Sequence, residues 1–287
     1  MHLLYHWRSD NYRRDRRFGF GFHLNQNSPA MKEAGPGESV WAFTRRRDGL
    51  YALAAELVVR AVTLNSPNYR YGRFRVWGDL GRSRYFDVDA PRNNAEPLIR
   101  RALSVRAEAD VLGRSFQGHA AVRPLTAEDH RVLSAFARDL PHTRAAGIFA
   151  EDEFEARLLF GERARTRLIE ESGERRDVRM QYLYETVDVT RARRNVETLH
   201  ELYDGRCQIC EFDPYARYAV RLCNGHHIEW LSRGGDDVLD NMALLCPNHH
   251  AAVHKDDAVF DYATLTFAFS NGRREGIRLN RHLERAA

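Results

Sequence analysis

The stretch CQICEFDPYARYAVRLCNGHHIEWLSRGGDDVLDNMALLCPNHHAAVH, Cys207 to His254, holds all four cysteines of the chain and five of its thirteen histidines. Cysteines gathered this tightly in a chain without a secretory pattern point to metal rather than to disulfides. Cys207 and Cys210 form a C-x2-C knuckle, and Cys246 with His249 repeats the same spacing. Three thiolates and one imidazole make a closed tetrahedral zinc site, which can hold together a module too small to own much core. Cys223 is the rival ligand, although on a strand a small buried hydrophobe is its more ordinary use. His250 and His254 stand at i and i+4, so on a helix they share one face, and Pro247 suits the first turn of that helix. His226 and His227 are neighbours; on a strand they point to opposite faces, so the two cannot both reach one ion.

Taken in order, Cys207-Gln208-Ile209-Cys210, His226-His227-Ile228, Gly234-Gly235, Asn241, Leu245-Cys246-Pro247-Asn248-His249-His250 and His254 resemble the HNH, or ββα-metal, endonuclease family over residues 203–256. The resemblance implies that His226, His250 and His254 bind a catalytic divalent ion with positions left open for water and phosphate. It implies that His227 is the general base, a task suited to an imidazole, which titrates near about 6.5. It gives Asn241 the work of tying the loop between the two halves and fixing the His227 backbone, while Gly234 and Gly235 let that loop turn. The reaction implied is hydrolysis of a DNA phosphodiester to 5′-phosphate and 3′-hydroxyl ends. The family commonly has Cys as the fourth zinc ligand, so His249 is a departure, and either His249 or His250 could complete the zinc. By ligand type three imidazoles favour Mn2+, Ni2+, Co2+ or Zn2+ over the oxygen-seeking Mg2+, though family members of this kind also accept Mg2+. The sober alternative is a zinc knuckle that only shapes the fold or binds nucleic acid, but it leaves His226, His227 and Asn241 without a role. A third reading is a nuclease toxin or an RNA-cutting enzyme behind a different sensor.

Working outward, the 287 residues suffice for two domains and a connector. Hydrophobic residues make up 43%, enough for a true core, and no apolar run approaches a membrane span. With no signal peptide at Met1–Asp10, a cytoplasmic location is the default. The net charge is +4, and 42 of the 44 basic residues are arginine. Arginine's planar fork suits phosphate, and clusters at Arg13–Arg17, Arg45–Arg47 and Arg191–Arg194 permit a DNA partner; GC-rich coding produces the same bias. Ser39–Thr44, Ala52–Leu64, Tyr71–Trp77 and Ser83–Val88 read as strands, the last two as a hairpin about Gly78-Asp79-Leu80-Gly81. Thr126 is an N-cap for a helix running toward Leu140 and stopped by Pro141, with Glu128 and Asp129 in its first turn. Glu151–Glu171 and Val187–Tyr203 carry helical patterns. The organisation expected is α+β: residues 1–140 a DNA-reading domain, 141–200 a helical connector, 201–287 the zinc-stabilised nuclease domain.

The N-terminal stretch, from Trp7 through Phe18-Gly19-Phe20-Gly21-Phe22 and Asn25-Gln26-Asn27 to Gly37-Glu38-Ser39-Val40-Trp41, followed by AAELVV and YGRFRVWGD, resembles PUA-like β-barrels of the EVE or SRA type, which read modified bases. That resemblance implies a flipped base in an aromatic pocket, with Trp7, Trp41, Trp77 and Asp79 as candidates, though core or turn packing is the more ordinary use of each. It implies a modification-dependent restriction endonuclease whose partner is double-stranded DNA bearing 5-methyl- or 5-hydroxymethylcytosine. Cutting both strands needs two active sites, for which a homodimer would serve.

Overall fold

The computed structural model describes residues 1–18, 23–143, 189–231 and 235–287. The helix expected at Glu151–Glu171, the first residues of Val187–Tyr203, Gly19 to Phe22 and Gly234 lie outside these. The chain divides into two compact units. One holds Met1–Arg16 and residues 23–62 and 70–143; the other holds residues 17–18, Thr63–Tyr69 and everything described from Val189 on.

The first unit is built on eight strands: β1 (His2–His6), β2 (His23–Gln26), β3 (Ser39–Arg45), β4 (Tyr51–Leu64), β5 (Phe74–Gly78), β6 (Arg84–Phe86), β7 (Val122–Leu125) and β8 (His142–Thr143), with helices α1 (Ser9–Phe18) and α2 (Ala127–Ala137). The order is β2-β5-β4-β3-β1-β7, with β6 on β4 and β8 on β6. β1 runs parallel to β3 and antiparallel to β7. Side chains two apart share a face of a strand. Trp41 and Phe43, with Tyr51, Leu53 and Leu4, therefore build one side of the sheet, and they pack with Leu133 and Ala137 of α2 and with Ile99, Leu103, Leu112 and Phe116. Thr126 caps α2 as its sequence predicts, in a reciprocal capping box with Asp129.

Two expectations need correction. A barrel closes only when its end strands pair, and among the described residues β2 pairs only with β5 and β7 only with β1, so the sheet is open. The segments flanking Gly78–Gly81 are not a hairpin either: β5 and β6 both pair with β4. The Asp79 carboxylate accepts the N–H groups of Gly81 and Arg82 at 2.9 and 3.0 Å. This local turn offsets the chain along β4 instead of folding it back on itself.

The second unit contains α3 (Val189–Tyr203), α4 (Pro214–Tyr218), the hairpin β9 (Asn224–His227) and β10 (Met242–Leu245), α5 (Pro247–Asp256), and a small sheet of β11 (Val259–Asp261), β12 (Thr266–Ala268) and β13 (Arg274–Gly276). In the hairpin His226 pairs with Ala243 and His227 with Met242. The core joins Leu199 and Tyr203 of α3 to Met242–Leu245, Val253 of α5, and Phe260 and Phe267 of the small sheet. An added Cβ on Gly225 would lie 2.7 Å from Cγ2 of Val196, so only glycine lets β9 seat this closely on α3. No described helix is long and apolar enough to cross a membrane.

Candidate metal centres and active site

Both clusters grow from the turn at the start of α5. Cys246 is the N-cap, with extended backbone, and Pro247 opens the helix. The facing knuckle is closed by Glu211 N–H donating to the Cys207 carbonyl at 2.8 Å, with Glu211 in the left-handed region at φ 62°. His249 Nδ1 lies 3.3 Å from Cys246 Sγ and 3.6 Å from Cys207 Sγ, and Cys210 Sγ lies 3.9 Å from Cys246 Sγ. Tetrahedral zinc with Zn–S near 2.3 Å and Zn–N near 2.0 Å has donor–donor edges of roughly 3.5–3.8 Å, so the donor spacings fit that ion. Burial pushes the Cys207 thiol up to about 12 and lowers His249 from its ordinary value. A thiolate at neutral pH therefore forms here in exchange for a cation. Cys223 lies in the hydrophobic core outside the four-donor group, and burial pushes its thiol up to about 12 as well.

His250 follows His249 directly and turns to the other cluster. The ligand nitrogens of His226, His250 and His254 all lie within 4.8 Å of one another. His226 Nδ1 is 3.1 Å from His254 Nε2, and the His250 and His254 ring centres are 4.5 Å apart. The helical i, i+4 pair and the strand residue thus meet, with His226 fully buried, His254 nearly so and His250 half-buried. Trp230 closes one flank, its ring 5.4 Å from that of His254. In space His249 groups with the three cysteines and His250 with His226 and His254.

His227 is not one of this group of donors. Its Nε2 lies 3.1 Å from Asp237 Oδ1, and both side chains are almost entirely buried. Asn241 spans the loop that follows β9. Its Oδ1 accepts the Glu229 N–H at 2.7 Å, and its Nδ2 donates to the carbonyls of Glu229 at 2.9 Å and Asp236 at 2.8 Å. The amide does tie the loop, but it grips Glu229 rather than the backbone of His227. Glu229 in turn accepts from the Tyr69 hydroxyl at 2.9 Å. Asp237, Glu229, Tyr69 and Trp230 are missed by a motif reading. Asp237 left one signal, an acidic pair in the loop before Asn241; Tyr69 left none, since nothing in the sequence links it to a position 160 residues away.

Gly235 is required by close approach, not by its backbone angles. An added Cβ would lie 2.0 Å from the Glu229 carbonyl oxygen and 3.0 Å from that of Trp230. Gly235→Ala should therefore lift the loop and destabilise the second unit by about 1–3 kcal/mol. Urea unfolding checks this, and an unchanged midpoint would mean that the loop yields without cost.

Trp41 is completely buried, stacks in parallel with Phe86, and donates Nε1–H to His130 Nδ1 at 3.2 Å. Trp77 is buried with the Arg75 guanidinium 4.5 Å over its ring. Trp7 is half-buried, edge-on to Tyr12, and Asp79 makes the turn described above.

Residues 207–256 match the family model described as HNH endonuclease. No curated protein matches the chain. Among solved structures, the type IV phosphorothioation-dependent restriction endonuclease ScoMcrA is similar at 15% identity with a TM-score of 0.20, over 80% of this chain and 46% of that one. The chain thus spans under half the length of that protein. The matched segment lies wholly within the second unit and holds both donor clusters.

Proposed function

We propose that the chain is a restriction-type endonuclease that hydrolyses phosphodiester bonds of double-stranded DNA with a divalent ion held by His226, His250 and His254. The observation that carries the reading is the convergence of these three nitrogens from a strand and a helix, within the segment that matches the nuclease family. Cys207, Cys210, Cys246 and His249 are the donors for a structural zinc. The catalytic ion supplies Lewis-acid polarisation of the scissile phosphate and charge stabilisation for the departing oxygen. His227 accepts the proton of the attacking water. Asn241 keeps the loop beside it in register by three hydrogen bonds. Three imidazoles make Mn2+, Ni2+, Co2+ or Zn2+ the better activators, with Mg2+ weaker.

An HNH module alone chooses sequence poorly, so target choice falls to the first unit, for which we propose modified cytosine on the strength of its aromatic-rich strand pattern. A homodimer would provide the second active site that a double-strand cut needs. One digestion panel tests these readings: plain, methylated, hydroxymethylated and glucosylated DNA, each with Mg2+, Mn2+ and Ni2+. The expected result is cleavage of modified DNA, strongest with Mn2+ or Ni2+. Equal cutting of plain and modified DNA would discard the modified base and keep the nuclease; no cutting under any condition would discard the nuclease.

A further inference from the structure

We propose that Asp237 is a positioning residue for the general base, fixing the orientation and tautomer of His227; this rests on the nuclease reading above. The loop geometry brings the two together. Asn241 and the close-packed Gly235 pin the segment after β9 back onto Glu229 and Trp230. The chain therefore returns Asp237 to a strand residue ten positions earlier, at 3.1 Å from Nε2. A second element meets it there: Asn195 of α3 donates Nδ2–H to the same carboxylate oxygen at 3.4 Å. The Asp237 and His227 side chains are 1% and 2% exposed, so bulk solvent competes little for the contact between Asp237 and Nε2.

The chemical consequence follows from the imidazole's inventory. A neutral ring has one N–H and one lone pair, and a carboxylate can only accept. Asp237 beside Nε2 therefore holds the proton on Nε2 and leaves the lone pair on Nδ1. Nδ1 takes a proton from water as the water oxygen bonds to phosphorus. The P–O3′ bond breaks, the 3′ oxygen leaves with the electron pair and is protonated by solvent, and the imidazolium later returns its proton to solvent. The carboxylate steadies the imidazolium, as in other carboxylate-oriented histidine bases. Without Asp237 the ring can turn over and offer the wrong nitrogen.

The experiment is a double-mutant cycle on single-turnover cleavage, with enzyme in excess and a duplex that the wild-type protein cuts. Asp237→Asn is expected to lower kcat about 10- to 100-fold with KM for DNA, zinc content and melting temperature unchanged. In the His227→Ala background the same substitution is expected to add nothing, because its effect passes through His227. A purely structural carboxylate would cost the same in both backgrounds, and that result overturns the proposal. So does wild-type cleavage by Asp237→Asn while His227→Ala is slow, which leaves the nuclease reading standing. Inactivity of the wild-type protein would remove both. Should Asp237→Asn lose zinc or melt early, Asn195→Ala carries the test. It frees the carboxylate from α3 and is expected to give a smaller loss of kcat that again vanishes beside His227→Ala; an equal loss in both backgrounds overturns the proposal.

Discussion

His227→Ala is expected to slow DNA cleavage by about 10²- to 10⁴-fold while zinc content, divalent-ion binding and DNA affinity stay as in the wild-type protein. The separation of effects comes from the strand. Neighbours on β9 face opposite ways: His226 joins His250 and His254, whereas His227 meets Asp237. Removing the His227 imidazole therefore subtracts no metal ligand. What it removes is a proton acceptor whose ordinary range lies near neutrality, and water must then lose its proton to bulk solvent. The contrasting variant is His226→Ala, which should weaken binding of the divalent ion along with cleavage. Single-turnover cleavage paired with metal binding by calorimetry reads both quantities. Cleavage by His227→Ala at the wild-type rate would strike His227 from the mechanism, even with the three-imidazole cluster intact.

The second unit was far more legible in the sequence than the first, for a physical reason. A metal site compresses its demands into residue type and short spacing: x2 between thiolates, i and i+4 on a helix, alternation on a strand. Each of these survives without knowledge of the fold, which is why Cys207, Cys210, Cys246 and the histidine trio can be nominated from spacing and family pattern, and the structure groups their donor atoms. The x2 spacing favours His249 over His250 for the zinc but leaves the second open, because adjacent helical residues differ only in direction, and direction belongs to the packed helix. Asp237 and Tyr69 were hidden because their contacts depend on how a loop and a distant segment pack. In the first unit the strands were readable from their β-branched and aromatic runs, as Ser39–Arg45 and Tyr51–Leu64 bear out. Their pairing was not. Gly78-Asp79-Leu80-Gly81 has hairpin composition, yet a single carboxylate accepting two N–H groups makes it an offset within one edge. Strand partners are chosen by packing of whole faces, and burial of Trp41 and Trp77 is part of that choice. Both indoles, whose aromatic character suggests a base pocket, are buried.

Cys207→Ser, or removal of zinc by a strong chelator, is expected to unfold the second unit and to abolish cleavage with it. Zinc binding in small modules is worth about 10–16 kcal/mol, at or above the whole stability of an ordinary domain, about 5–15 kcal/mol. A serine hydroxyl does not ionise to replace the thiolate, so three donors remain of the four. The loss does not stop at the zinc. Cys246 and His249 occupy the first turn of α5, and the next residue, His250, begins the catalytic cluster. Freeing that turn frees His250 and His254 too, so added Mn2+ alone should not restore cutting to the chelated protein, whereas zinc followed by Mn2+ should. The pH dependence has a definite sign. Burial holds the Cys207 thiol at about 12, so binding zinc displaces its proton, and affinity for zinc falls as the pH is lowered. Cys223→Ser supplies the control, since Cys223 is buried outside the four donors. It should cost about 1–3 kcal/mol for a hydroxyl placed in apolar surroundings and keep its zinc. Metal content by mass spectrometry and thermal melting by circular dichroism distinguish the two. Full zinc and an unshifted melt in Cys207→Ser would contradict the ligand assignment, and zinc loss in Cys223→Ser would move it to the wrong cysteine.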